Sequence, residues 1–210
     1  MFNFHTHTHQ ANSICNIDSL IDNKLIEQYY YSIGNHPWYN NYTISEIENL
    51  ILNHKNIISI GECGIDKLRS NKTITEQIDI LTQQVKLSEQ LKLPLTLHIV
   101  KGFNEIIRLK KDLKPTQNWI IHGFNNNKQG NELLTNGFYL SFGKALLKNT
   151  KLQKVFIDCS IQKIVLETDD SDITIEKMYN FAAQLKSISV NELTQHIRQN
   201  LKRITNGKLA

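Results

Sequence analysis

Short apolar runs alternate with segments of helical periodicity along nearly the whole 210-residue chain. This alternation constrains the fold most strongly, because parallel strands joined by crossover helices produce it. The apolar runs predict eight strands, at residues 2–6, 12–16, 29–34, 57–62, 94–98, 118–122, 138–142 and 163–167. Eight such strands suit a closed TIM-type (β/α)8 barrel, and we expect one α/β domain over residues 1–210.

Helix start signals separate several of these strands. Thr43, Thr73 and Ser189 each stand three residues before a Glu, which is the spacing of a capping box. After Thr73 the apolar residues recur at helical spacing, and Pro94 marks the return to a strand. The segment 10–28 is too short for a complete strand–helix unit. We therefore expect a compact barrel whose first crossover is trimmed.

Composition and cysteine usage restrict the setting in which the chain works. Charged residues make up 21% of the chain and the net charge is +4, which permits a polyanionic partner without requiring one. The sequence shows neither an apolar run of membrane-spanning length nor a signal-peptide pattern. Cys15, Cys63 and Cys159 are scattered, which argues against a disulfide framework or a thiolate zinc site. We expect a cytoplasmic protein with no membrane partner and no evident obligate protein partner.

Metal-capable side chains stand at the ends of five of the predicted strands. They are His5, His7, Glu62, His98, His122 and Asp169. Parallel strands of a barrel end on one face, so this fold would bring the six side chains together. A single histidine after an apolar strand is more often a structural residue than a ligand, but six coincidences favour a metal site. Imidazoles and carboxylates suit Zn, Mn, Ni or Fe, with Mg possible where oxygen ligands dominate.

Seven short motifs occur in a familiar order along almost the whole chain. They are HTH at 5–7, GNHPW at 34–38, GECGID at 61–66, LPLTLH at 93–98, IHGF at 121–124, SFG at 141–143 and LETDD at 166–170. In these motifs the chain resembles the TatD family of metal-dependent hydrolases, within the amidohydrolase-like superfamily. The resemblance implies a TIM-type barrel with a two-metal site that cleaves a phosphodiester, with DNA 3′ ends as the first expected substrate.

The resemblance also implies a role for each metal-capable residue. One ion would be held by His5, His7 and Asp169, the other by His98 and His122, and both by Glu62. His9 lies past the strand end and is not expected to be a ligand. Two cations could lower the pKa of a bound water and neutralise the reacting oxygens of a phosphoester. Asp169 and Glu62 are the expected catalytic carboxylates, with Asp169 taking the proton from water.

Two further residues are expected to bind the substrate. His36 of the GNHP motif should lie near the mouth of the barrel and contact a phosphate, although Pro37 and Trp38 could equally lock that loop. Trp38 could stack on a base, but a Trp beside Pro more often packs. The family often places Arg soon after the position of His98. Here Lys101 could replace it as a point charge, without the bidentate fork that suits phosphate.

Two departures from the family pattern keep several functions open. Asn3 stands where many members have Asp; it can hydrogen-bond a ligand histidine but brings no charge. Asp170 and Ser171 replace a small residue and Pro, and Asp170 would repel a phosphate unless a metal or Lys offsets it. A metal-dependent phosphodiesterase or deoxyribonuclease is the first expectation. The alternatives are a metal-dependent hydrolase of a small-molecule ester, amide or lactone, and a non-catalytic binding protein.

Overall fold

A computed structural model describes residues 1–17, 25–39 and 42–209. Its eight strands pair in parallel, each with the next in sequence, so the described strands form one sheet in chain order. The strands are β1 (Asn3–Thr6), β2 (Ser13–Ile17), β3 (Tyr30–Ile33), β4 (Ile57–Asp66), β5 (Leu95–Val100), β6 (Trp119–Ile121), β7 (Tyr139–Phe142) and β8 (Ile164–Leu166). This arrangement confirms the predicted TIM-type barrel.

The sheet closes where β8 returns to β1. Thr6 and Asp169 form a parallel bridge, and the backbone N–H of Asp169 donates to the carbonyl of His5 at 3.0 Å. The Asn3 side chain donates to the Thr168 hydroxyl at 2.7 Å and accepts from the Thr168 N–H at 3.0 Å. Asn3 therefore bonds Thr168 and fixes the barrel seam, rather than bonding a ligand histidine as its position in the sequence suggested.

Helices cover the outside of the barrel. They are α1 (Ile44–Asn53), α2 (Ile74–Leu91), α3 (Phe103–Leu113), α4 (Gly130–Thr135), α5 (Thr150–Asp158), α6 (Ile175–Lys186) and α7 (Val190–Ile204). Complete capping boxes begin α1 at Thr43 and α2 at Thr73, as predicted. At the start of α7, Ser189 accepts from the N–H of Glu192, which is the first bond of the predicted box. Within the described part of the chain, none of these helices is long and apolar enough to cross a bilayer.

The first crossover is short, as the sequence predicted. Residues 7–12 connect β1 directly to β2 without a helix. Residues 18–24 of the predicted trimmed segment lie outside the described residues. This short connection therefore covers little of the mouth of the barrel beside β1 and β2.

Two strands extend past their predicted ends. β4 continues to Asp66 and β5 to Val100, because Gly64 pairs with His98 and Asp66 with Val100 in a continuous ladder. Glu62 and His98 consequently lie inside strands instead of ending them. Sequence alone placed the ends too early because the polar residues interrupted the apolar run, whereas strand pairing continued through them.

Helix α2 holds two loops at the mouth through buried glutamines. Gln84 accepts from the backbone N–H of Asn35 at 2.7 Å and donates to its carbonyl at 3.1 Å. Gln77 accepts from the N–H of Asp66 at 2.8 Å. Leu81, between them in sequence, is fully buried in the apolar core. The same helix thus packs into the core and positions the loops that follow β3 and β4.

Candidate metal centre

Glu62 lies at the centre of a polar cluster at the mouth of the barrel. The register of β4 shifts between Ile60 and Cys63, and such a bulge re-aims the side chain that it contains. The N–H of Glu62 donates to the Asn16 side chain at 2.8 Å, which fixes the backbone here. The carboxylate is only 4% exposed. The local fold therefore directs a buried negative charge at the surrounding histidines.

One oxygen of Glu62 faces the histidines of β1 and its following turn. Glu62 Oε1 lies 3.1 Å from Nε2 of His5 and 3.1 Å from Nε2 of His7. Asp169 Oδ1 lies 3.6 Å and 3.3 Å from the same two nitrogens. The buried Nε2 of His5 makes no hydrogen bond despite these short distances. The Nε2 atoms of both histidines thus face the same two carboxylate oxygens.

The other oxygen of Glu62 faces a second set of histidines. Glu62 Oε2 lies 2.9 Å from Nε2 of His122, 3.4 Å from Nδ1 of His98 and 3.4 Å from Nε2 of His36. His98 Nδ1 and His122 Nε2 are themselves 3.2 Å apart. Glu62 therefore stands between two histidine groups, each facing a different oxygen.

The donor atoms fit divalent metal ions. In three groups of described residues, all the potential ligand atoms lie within 4.8 Å of one another; the groups are His5, His122 and Asp169; His5, His7 and Glu62; and His36, Glu62 and His98. Two carboxylates this close to the unbonded Nε2 of His5 are what a buried cation would require, and imidazole with carboxylate suits several transition metals. All six residues predicted as ligands are brought together. Exposed His9 stands apart from these groups, with its ring 5.5 Å from that of Tyr31.

The side chains of the cluster are strongly polarised. Burial opposes ionisation of Glu62, yet His122 and His5 hold the pKa of that carboxyl well below its ordinary value. Burial likewise disfavours the charged form of His122, but Glu62 raises its pKa well above the ordinary value. Burial tends to raise the pKa of Asp169, and the hydrogen bond with His7 and the nearby His122 lower it to about 2. Both carboxylates are consequently ionised at neutral pH.

Asp66 is a functional candidate that sequence reasoning missed. Its Oδ2 accepts from the indole N–H of Trp38 at 2.7 Å and lies 3.3 Å from Nε2 of His98. Its Oδ1 accepts from the backbone N–H groups of Leu68 and Arg69. Burial would raise its pKa, but these hydrogen bonds outweigh burial and lower it. A carboxylate in this position leaves Nδ1 of His98 free to face Glu62. The feature of the sequence that could have indicated this role is the position of Asp66 at the end of the GECGID motif.

Glu167 is a second missed residue. It is fully buried, with one oxygen accepting from the Gly123 N–H at 2.6 Å and the other from the hydroxyl of Ser141. The first oxygen lies 3.7 Å from Nδ1 of His122. Glu167 therefore joins the ends of three strands beneath a cluster histidine. Its position directly after the apolar run of LETDD was the only available signal.

His36 presents a proton to the cluster. The backbone N–H of Trp38 donates to Nδ1 of His36 at 3.2 Å, so the neutral ring carries its proton on Nε2, toward Glu62. Burial lowers the pKa of His36, which favours this neutral form. Trp38 itself packs: its N–H bonds Asp66 and the Arg69 guanidinium lies 4.7 Å above its ring. A hydrogen-bond donor at this position suits a phosphate oxygen.

Two lysines near the mouth, the predicted Lys101 and Lys144, differ in placement. Lys101 is exposed, with a left-handed φ of 57°, and takes part in none of the contacts that join the described cluster. Lys144 instead approaches the rim, where its Nζ lies 2.7 Å from Oδ1 of Asp170. Lys144 therefore offsets the extra carboxylate of Asp170, which is one of the two ways that the sequence analysis left open.

Fold and cluster together define a (β/α)8 barrel with a candidate divalent-metal centre at its mouth. The sequence model for TatD-related DNases matches residues 4–206, and the chain belongs to this family. A solved structure of the TatD homologue YjjV from Escherichia coli superposes with a TM-score of 0.79 at 17% identity, covering 92% of this chain and 86% of that one.

Named relatives match part of the chain. An uncharacterised metal-dependent hydrolase of Buchnera aphidicola is 32% identical over 148 residues, which are 66% of this chain and 54% of the relative. Deoxyribonuclease TATDN3 of Homo sapiens is 25% identical over 168 residues, which are 72% of this chain and 61% of the relative. The chain thus spans about half to three-fifths of the length of these curated relatives.

Proposed function

We propose that the protein is a metal-dependent phosphodiesterase with deoxyribonuclease activity, acting on DNA ends. Family membership and the relative named as a deoxyribonuclease support this reaction class. The observation that carries the proposal is the position of the Glu62 carboxylate. Each of its two oxygens faces a separate group of histidines. A carboxylate in this position is suited to bridge two ions.

The ligand assignment follows the two sides of Glu62. We assign one ion to His5, His7 and Asp169, the other to His98 and His122, and Glu62 to both. Bound there, two divalent ions supply Lewis-acid activation of a water and neutralise charge on the reacting phosphate oxygens. The ions expected are Zn, Mg, Mn, Ni or Fe.

The chain's own residues handle the proton and orient the substrate. Asp169 is 27% exposed and Glu62 only 4%, so Asp169 is the carboxylate that an incoming water can reach. Because its pKa is about 2, Asp169 is ionised and can accept the proton that the attacking water loses. His36 Nε2–H donates to a phosphate oxygen. Asp66 orients His98 from behind through Nε2.

A second candidate is hydrolysis of a small-molecule ester, amide or lactone. The observation that favours it concerns the rim: Lys101, the cation expected to bind phosphate, is exposed and lies outside the cluster contacts. A carbonyl substrate would need no phosphate-binding fork. The complete ligand set argues against the third possibility, a non-catalytic binding protein.

Degradation of end-labelled single-stranded DNA with Mg²⁺, Mn²⁺ or Zn²⁺ tests the proposal. We expect metal-dependent shortening by the wild type and at least about a hundredfold loss in Glu62→Gln. The position of the label reports which end is attacked. Cleavage of carbonyl esters without any phosphodiester cleavage, by protein that binds metal, would support the second candidate instead.

The cysteines support the predicted compartment. Cys15, Cys63 and Cys159 are all buried. Burial raises the pKa of Cys159 to about 11, so its thiol is poorly reactive at neutral pH. We propose that the protein works in a reducing, cytoplasmic setting.

A further inference from the structure

Tyr39 places an exposed aromatic ring on the rim of the metal centre. It is 45% exposed and is the only aromatic residue among the large, exposed hydrophobic side chains of the described chain. Its ring centroid lies 5.3 Å from that of His36, with an angle of 33° between the rings. An exposed aromatic ring offers a face on which a nucleobase can stack.

The loop beneath Tyr39 is held by hydrogen bonds. The N–H of Tyr39 donates to the carbonyl of His36 at 3.1 Å, and the hydroxyl of Ser70 donates to the carbonyl of Pro37 at 2.7 Å. Trp38 is tied to Asp66 through its indole N–H at 2.7 Å. The ring is thus presented from a fixed backbone, which lowers the entropy lost when a ligand stacks on it.

Tyr39 stands one ring away from the expected phosphate contact. His36 touches Tyr39 on one side, and its Nε2 lies 3.4 Å from Oε2 of Glu62 on the other. A nucleotide carries a planar base and a phosphate at separate ends of one sugar, which matches an apolar face beside a phosphate contact.

We propose that Tyr39 forms a stacking site for the nucleobase next to the phosphate bound at the metal centre. This inference rests on the proposed function and adds the recognition of an unpaired base to it. Trp38 does not serve as the stacking ring, because Arg69 already lies 4.7 Å from its ring centroid. The hydroxyl of Tyr39 is not required, since stacking uses the ring face.

Binding of two ligands that differ only by the base tests the site. The full chain loaded with Mn²⁺ is titrated with thymidine 5′-monophosphate and with 2-deoxyribose 5-phosphate. We expect the wild type to bind the nucleotide about tenfold more tightly, the gain typical of one base stacked on one aromatic ring. Tyr39→Phe should keep this preference, and Tyr39→Leu should reduce it to about twofold or less. Leu52→Ala, at a remote side chain on α1 that is 62% exposed, is the matched control and should keep it.

Equal affinity of the wild type for both ligands would overturn the proposal, and so would a preference that survives in Tyr39→Leu. Because the ratio compares ligands with the same phosphate, a displaced His36 would change both affinities and leave the ratio intact. Hydrolysis of methyl p-nitrophenyl phosphate, which carries no base, separately tests the phosphodiesterase. Base preference without this hydrolysis would reject the proposed function alone, and hydrolysis without base preference would reject the stacking site alone.

Discussion

The histidines at the mouth of the barrel differ in which of their two ring nitrogens contacts a neighbouring polar group. Asp66 faces Nε2 of His98 and leaves its Nδ1 toward Glu62, whereas the Trp38 N–H occupies Nδ1 of His36. His98 therefore offers a lone pair to the cluster, and His36 offers a proton. This difference in tautomer suits His98 to the proposed role of a metal ligand and His36 to that of a phosphate donor, although both rings lie 3.4 Å from Glu62 Oε2.

Replacing Asp66 tests this tautomer control. Asp66→Asn substitutes an amide for the carboxylate that accepts from His98, so we expect metal affinity to fall by about 10–100-fold. Isothermal titration with Zn²⁺ measures the change. Asp79→Asn, at an exposed position on α2, is the matched control. Unchanged affinity in Asp66→Asn would show that His98 keeps its orientation without the carboxylate.

At this scale the sequence could predict which candidate ligands come together, but not the residues that support them. His5, Glu62 and Asp169 follow apolar runs, and a parallel barrel gathers such positions automatically. Asp66 and Glu167 looked like ordinary turn or strand residues, because their partners come from other strands. Only the three-dimensional pairing shows that each accepts hydrogen bonds behind or beneath a cluster histidine.

At the scale of elements, the backbones of β4 and β5 approach each other closely at Gly64 and His98. Gly64 has a φ of 146°, and a Cβ there would overlap the carbonyl oxygen of His98. Gly207 also has a positive φ, 85°, but nothing lies within 4 Å of its Cβ position. The two glycines therefore separate the effect of backbone strain from that of close packing.

Alanine substitutions at these glycines should have unequal effects. We expect Gly207→Ala to lower the free energy of unfolding by about 1 kcal/mol, from backbone strain alone. Gly64→Ala should lower it by at least about 3 kcal/mol, because overlap with β5 adds to the strain. Urea denaturation of both variants measures the difference. Equal losses would mean that β4 can move away from β5 without penalty.

A lysine at the end of α3 should make stability depend on alkaline pH. Burial and the nearby Lys163 lower the pKa of Lys110 from 10.5 to about 8. Between these values the unfolded chain binds more protons than the native state, so the contribution of Lys110 to stability rises with pH. The ammonium also donates to the Gly137 carbonyl at 3.2 Å.

The contribution of Lys110 is measured as the difference in free energy of unfolding between the wild type and a variant without the ammonium. The free energy of unfolding of the wild type should rise relative to Lys110→Met as the pH is raised from 8 to about 10.5, with urea denaturation at each pH as the measurement. Lys111→Met, at an exposed neighbour, should show no such trend relative to the wild type. A constant wild-type advantage over Lys110→Met across this range would contradict the assignment.

Helix starts were predictable at this scale and strand ends were not. The capping boxes at Thr43 and Thr73 depend on residues three apart, so the local sequence contains the whole signal. The extension of β4 to Asp66 depends on its ladder with β5, which is distant in sequence. Local patterns cannot reveal where such a neighbour stops pairing.

For the whole molecule, the seam between β8 and β1 joins the last strand of the barrel to the first and holds part of the site. Asp169 follows Thr168 directly, and its N–H bonds the carbonyl of His5 across the seam. Asn3 fixes Thr168 with two hydrogen bonds. Barrel closure and the separation of His5 from Asp169 therefore depend on the same few contacts.

Weakening this seam should reduce stability. Asn3→Ala leaves the buried polar groups of Thr168 without those two bonds, so we expect a loss of about 1–3 kcal/mol in the free energy of unfolding. Thermal or urea denaturation measures it. Asn53→Ala removes an exposed asparagine on α1 and should change stability little. Equal stability of both variants would show that closure does not require Asn3.

The most direct test of the metal centre is a metal titration of the wild type beside Glu62→Gln, with metal content measured after gel filtration. Glu132→Gln, at an exposed glutamate on α4, is the control. We predict two divalent ions per chain in the wild type and the control, and fewer than two in Glu62→Gln. Retention of both ions by Glu62→Gln, or no ion in the wild type, would contradict a centre bridged by Glu62.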